Sequence, residues 1–182
     1  MLSPRAMRDR SGLGLGVLFS VAVTACSGAQ SPADGRGGEP PEADECNLAL
    51  SAIRASSQRI GSMKFSGNDT AQLLEQLAQY GAVAAEEAEL LSGVELDHAE
   101  LNAVMRGYVQ MTRDVARAAA AMAQSVEEQN ALGPELQREP TAQLQARMVE
   151  LERQQDAATE QLGRAAGEEL PLLDRIQSIC SR

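Results

Sequence analysis

The sequence predicts an all-α protein whose folded part is an up-down bundle of four helices. Three observations carry this. Beyond Cys46 the apolar residues recur at spacings of three and four, the period of a helix face, and never at two for long. Turn and capping residues cut that run into four helix-length pieces. Aromatic residues are almost absent, with no Trp, two Phe and two Tyr, while 43% of the 182 residues are apolar. The core is therefore aliphatic and small-residue, rich in Ala and Leu. That apolar content excludes disorder of the whole chain, and the length suits one modest domain.

The elements follow in chain order. Residues 1–10 carry Arg5, Arg8 and Arg10 against the single acid Asp9. An apolar run from Leu13 to Val23 follows, then Thr24, Ala25 and Cys26. A basic start, a short apolar stretch and small residues at a cleavage point describe a secretory signal peptide. The apolar run falls short of the roughly 20 residues that a membrane-spanning helix needs. Val23-Thr24-Ala25-Cys26 matches a lipobox at all four positions, and here the chain resembles bacterial lipoprotein precursors over residues 1–26. The resemblance implies cleavage between Ala25 and Cys26, and attachment of membrane lipid to Cys26 by diacylglyceryl transfer followed by N-acylation. Several acyl chains anchor firmly where a single one holds only marginally. Ser27 rather than Asp follows the cysteine, which by the best-known sorting rule favours the outer membrane, facing the periplasm.

Residues 26–45 form the next segment, the lipidated cysteine and a linker. Ser27–Glu45 holds four Gly and three Pro with almost nothing apolar, too little to offset the entropy of ordering, and is expected to be disordered. As a flexible coil it would reach on the order of 20–25 Å.

Residues 46–182 are expected to form the bundle. The first helix, about Glu45 to Met63, lines up Ala49, Ile53, Ser56, Ile60 and Met63. The turn cluster 64–69 ends at Asp69 and Thr70, either of which can cap the second helix. That helix, to about Leu91, carries Leu73, Leu77, Tyr80, Ala84 and Leu91, interrupted by Glu87. Asp97 with Glu100 reads as a capping box opening the third helix. Its stripe runs Leu101, Val104, Tyr108, Met111, Val115, Ala118 and Met122. Gly133-Pro134 through Pro140 reads as a turn, and Thr141 as the cap of the fourth helix. Leu144, Met148, Leu151, Gln155, Ala158, Leu162 and Ala165 continue in phase through Glu169, Leu172, Ile176 and Ile179. Pro171 clashes with the carbonyl of Gly167 in a straight helix, so a kink near Gly167–Pro171 or a break before a short fifth helix is expected.

With Cys26 acylated, Cys46 and Cys180 remain. Export to an oxidising compartment favours a disulfide between them. Four up-down helices bring those two chain ends together, whereas three would part them by a helix length. Free or intermolecularly paired thiols are the alternative.

Charge and motifs bound the function. The net charge of -10 and a pI near 4.6 argue against nucleic acid, which needs clustered Lys and Arg. Removing the leader's three Arg and one Asp leaves 13 basic and 25 acidic residues, net -12. His98 is the one histidine. Glu95-x-x-His98 is a single motif where a carboxylate-bridged metal bundle needs two, so no metal ligands, no cofactor and no catalytic residues are assigned. His98 reads as a solvated helix-start residue. The acidic runs Glu86-Glu87-Glu89, Glu127-Glu128 and Glu168-Glu169 read as solvated faces, and the Met residues as core fillers. Tyr80 and Tyr108 fit the core stripes or a partner-facing groove. Ala116–Ala121 permits close helix approach or simply reflects the high helix propensity of Ala. The expected function is that of a non-enzymatic envelope lipoprotein, a structural or protein-interaction module with an envelope protein partner. The alternative is a periplasmic sensor that binds a small ligand or metal within the bundle, at buried polar positions such as Gln155 and Glu87.

Overall fold

The computed structural model describes residues 41–63 and 69–182. The leader, the lipobox with Ala25 and Cys26, and most of the linker lie outside the described residues. What is described is all-α: α1 (Ala43–Gly61), α2 (Thr70–Ser92), α3 (Ala99–Arg138) and α4 (Ala142–Cys180). No strand occurs among the described residues.

Each helix starts for a local reason. Asp44 and Glu45 sit in the first turn of α1, where acidic side chains favour the positive end of the helix dipole. The linker expected to run to residue 45 therefore gives way to helix at Ala43. Asp69 caps α2 by accepting the N–H of Ala71 at 3.1 Å, and Thr141 caps α4 by accepting the N–H of Leu144 at 3.2 Å. The Asp97–Glu100 capping box does not form. His98 is the N-cap of α3, its Nδ1 accepting the Leu101 N–H at 3.2 Å. The N–H groups of Asp97 and His98 both donate to Glu45 of α1, at 2.6 and 3.0 Å. His98 is thus a structural cap rather than a solvated residue, and a side chain from another helix supplies the second half of the cap.

The expected turn at Gly133–Pro134 and the expected break before a fifth helix do not occur. α3 runs through Gly133 and Pro134 to Arg138, so the turn shrinks to about three residues, 139–141. Near a helix end a proline forfeits one hydrogen bond, and Leu132 and Leu136 remain half-buried in the helical phase. α4 likewise continues through Pro171 to Cys180, with no fifth helix. Pro171 and Gly167 are both exposed, so the carbonyl that the proline displaces is open to water.

α3 is the common partner, packing extensively against α2 and α4, while α1 makes fewer contacts, with α2 and α4. The main core joins Cys46, Ala49 and Ile53 of α1 to Tyr80, Ala84 and Leu91 of α2 and to Leu101, Val104, Tyr108 and Val115 of α3. Ala165, Ile176 and Ile179 of α4 complete it. The Met residues of α3, Met105, Met111 and Met122, are buried as fillers, and Met148 is half-buried. Small residues set the α2–α3 approach. A Cβ built on Gly81 would stand 3.3 Å from the Ala116 carbonyl oxygen and 3.4 Å from the Ala119 Cβ. The alanine run from 116 is the surface on which α2 lies.

Cys46 and Cys180 lie together at disulfide distance, with Cα atoms 5.7 Å apart across 134 residues of sequence. They join the start of α1 to the end of α4, beside the Glu45 cap.

Candidate functional site

Three regions could carry function: a buried polar cluster under α1, a surface groove between α2 and α3, and the distal part of the α3–α4 hairpin.

The polar cluster is assembled from three helices. The stripe phase that buries Ala165, Ile176 and Ile179 also turns Glu169 inward, to 8% exposure. Its Oε1 accepts from the Tyr108 hydroxyl at 3.2 Å and, at the long distance of 3.5 Å, from the Ser57 hydroxyl. Ser57 and Tyr108 are themselves 3.1 Å apart. With one proton on each hydroxyl, the tighter arrangement has Ser57 donating to Tyr108 and Tyr108 donating to Glu169. Burial pushes the Tyr108 phenol well above the usual tyrosine value. The Ser57 bond opposes that shift, and the Glu169 charge adds to it. Burial likewise pushes Tyr80 up to about 12, with Glu169 the second cause. Both tyrosines are core residues, so neither faces a partner.

Glu87 lies nearby in chain order on α2 and is only 3% exposed. Its Oε1 is 2.6 Å from Arg59 Nη1. That contact is an ion pair without the alignment of a hydrogen bond, since no hydrogen-bond partner for Oε1 meets the geometry. Arg59 also bonds Glu86 at 2.9 Å. The acidic runs are thus not uniformly solvated: Glu87 and Glu169 each turn inward and tie α1 to the rest. Their helical phase was the available signal, since both fall on apolar stripes. Ser56 Oγ, on the buried side of α1, has no hydrogen-bond partner.

These groups tie α1 to α2, α3 and α4. His98 is engaged by its cap. Among the described residues no group of three or more His, Cys, Asp or Glu could hold a metal ion. The groove between α2 and α3 is shallow and open, about 320 Å³, lined by Ala85, Glu89, Gln110, Arg113, Ala116 and Arg117. Its charges neutralise one another: Arg113 pairs with Glu89 at 3.0 Å, and Arg117 pairs with Asp114 on its rim.

The distal hairpin differs in kind. Thirteen residues of α3 are buried between Leu101 and Ser125, and none from 126 to 138. In α4 burial begins at Leu151. The reason is where α2 starts. Leu77 packs with Met122 and Ala158, and Leu73 lies against the same group. One turn earlier α2 begins, so its cover ends near residue 129 of α3. About ten residues of each long helix extend beyond it, on the order of 15 Å at 1.5 Å per residue. This stretch is held by Arg147, which grips Glu128 with two bonds of 2.6 Å, and by Gln155 donating to Gln129 at 3.1 Å. The arginine lowers the Glu128 pKa.

Comparison with known proteins finds no matching family model, no similar curated protein and no similar solved structure.

Proposed function

We propose that this chain is a cell-envelope lipoprotein, anchored through acylated Cys26 after cleavage behind Ala25, and that it acts as a non-enzymatic module binding an envelope protein. In this reading the anchor sits in the outer membrane, and an acidic linker joins it to an up-down four-helix bundle at Cys46–Arg182, stapled by a Cys46–Cys180 disulfide. The observation that carries it is the Arg-rich start, short apolar run and Val23-Thr24-Ala25-Cys26 lipobox. No helix among the described residues is long and apolar enough to cross a membrane. The antiparallel pairings support the bundle: Cys46 meets Cys180 and Ser57 meets Glu169 between α1 and α4, and Leu77 meets Met122 and Glu89 meets Arg113 between α2 and α3. The interior polar groups named above hold helices together, which supports a binding module over chemistry.

A second reading, a periplasmic small-ligand or metal sensor, draws on the buried carboxylates of Glu87 and Glu169 and on the unpartnered Ser56 hydroxyl. Mass spectrometry of the membrane fraction separates the essentials. A mature start at acylated Cys26, with release to the soluble fraction by Cys26→Ser, is the expected result; an unmodified start elsewhere overturns the anchor. A small molecule or metal co-purifying in stoichiometric amount would favour the sensor.

A further inference from the structure

The distal hairpin carries an apolar seam that nothing described covers. Leu132 and Leu136 of α3 and Leu144 and Met148 of α4 are only half-buried, and Val149 is 47% exposed. A seam between two helices leaves one flank of each a- and d-type side chain open to solvent, and a third helix can cover that flank. α2 shows how. It lies along the same two helices, Leu77 against Met122 and Ala158, and begins at its Asp69 cap, so no described helix covers the seam beyond that point.

Charge selects the occupant. Between residues 127 and 156 seven acids stand against three arginines. Two of those arginines are engaged within the hairpin, Arg147 by Glu128 and Arg153 by Glu150. Glu135, Glu139 and Glu152 are exposed. A second copy would bring the same acidic excess against this surface and be repelled. A helix with Lys or Arg flanking an apolar stripe would be attracted and would close the seam. We infer that the distal α3–α4 hairpin is the docking surface for a basic amphipathic helix of a protein partner, seated in line with α2. The inference rests on the interaction-module reading and names its surface and partner chemistry.

The test uses the full mature chain with Cys26→Ser and a synthetic Leu/Lys amphipathic helix of about 18 residues, beside a Leu/Glu helix of the same pattern. Fluorescence anisotropy gives affinity, and hydrogen exchange gives location. The expected result is binding at about micromolar Kd, with new protection between residues 126 and 155. Val149→Asp with Glu152→Lys should weaken it about tenfold or more while the circular dichroism stays unchanged, and Glu75→Lys on α2 should not. The Leu/Glu helix should bind at least about tenfold more weakly. Absence of binding, equal binding of the two helices, insensitivity to the hairpin variant, or a dimer joined through the hairpin would each overturn the inference. Protection mapped elsewhere would remove this surface and leave the module reading standing. The acyl anchor does not enter this readout, so its failure is seen separately by mass spectrometry.

Discussion

The two ends of the α3–α4 hairpin are built from the same two helices with the same spacing of apolar residues, yet only one is a core. At the proximal end Leu101, Ile176 and Ile179 are almost fully buried beneath α1 and α2. At the distal end Leu136 and Leu144 occupy equivalent stripe positions and remain half-open. Periodicity defines a face, but coverage decides whether that face becomes interior. The proximal end is also fastened by groups that the distal end lacks: the Cys46–Cys180 pair, the Glu45 cap on α3, and the buried ties of Glu87 and Glu169. Because α1 packs less extensively than its neighbours, these fasteners matter most for α1.

The largest effect should come from the cysteines. Closing a loop of 134 residues removes enough unfolded-state entropy that Cys46→Ser with Cys180→Ser should cost about 2–5 kcal/mol. That corresponds to a melting temperature lower by roughly 10 °C. Hydrogen exchange should show α1 losing protection first and the distal hairpin changing little. Equal loss at both ends would dissolve the contrast.

Next is Arg59, half-exposed at 50% against a Glu87 side chain at 4%. Arg59→Met strands a buried carboxylate and should cost about 2–4 kcal/mol in urea unfolding. Adding Glu87→Leu should recover most of it, since a buried pair replaced by apolar side chains is near neutral. A double variant no more stable than the single would show that Glu87 is held by something other than this pair.

The tyrosines report the proximal core alone, because both lie in it and the chain has no Trp. Their folded values stand above the ordinary 10, Tyr80 at about 12. The stability they contribute is therefore fully present below pH 10 and is lost as pH rises through the folded values. Absorbance at about 295 nm should show no phenolate near pH 10, and ionisation should coincide with alkaline unfolding. Tyrosinate forming near pH 10 with the helices intact would mean that the cluster is open to water.

Acid tests one carboxylate at each end. Glu45, bonded by the His98 and Asp97 amides, and Glu128, gripped by Arg147, both lie below the ordinary 4.5. Their contributions are present above that value and vanish as pH falls through the lowered folded values. Glu45→Gln should lose protection at the start of α3, and Glu128→Gln only in the hairpin. Each variant should converge with the parent only once the pH has fallen below the lowered folded values.

Much of this was legible in the sequence. The Thr141 cap and the stripes follow from local rules, and Cys46 with Cys180 from four-helix topology; local rules left the α2 cap open between Asp69 and Thr70, and the alanine run from 116 open between an approach surface and plain helix propensity. Glu87 and Glu169 show where reading stops. Their position on apolar stripes was visible, but burying a carboxylate depends on Arg59, Tyr108 and Ser57, which are remote in sequence. The capping box failed similarly: Asp97 and Glu100 had the right spacing, but Glu45 from α1 and the His98 ring took the amides. The distal surface was least legible, because Gly133 and Pro134 signalled a turn that packing overrode.

That override sets the smallest effect. Pro134 lies inside α3, four residues before its end, where it withholds the N–H that would bond the carbonyl of Asn130. Pro134→Ala restores that donor and improves helix propensity. It does so in a stretch whose side chains are nowhere fully buried, so its local gain should barely reach the cooperative core. The expected outcome is slower amide exchange across residues 130–138, with a change of about 1 kcal/mol or less in global unfolding. A gain of several kcal/mol would mean that the two ends unfold as one cooperative unit, and that the difference between them lies in exposure alone.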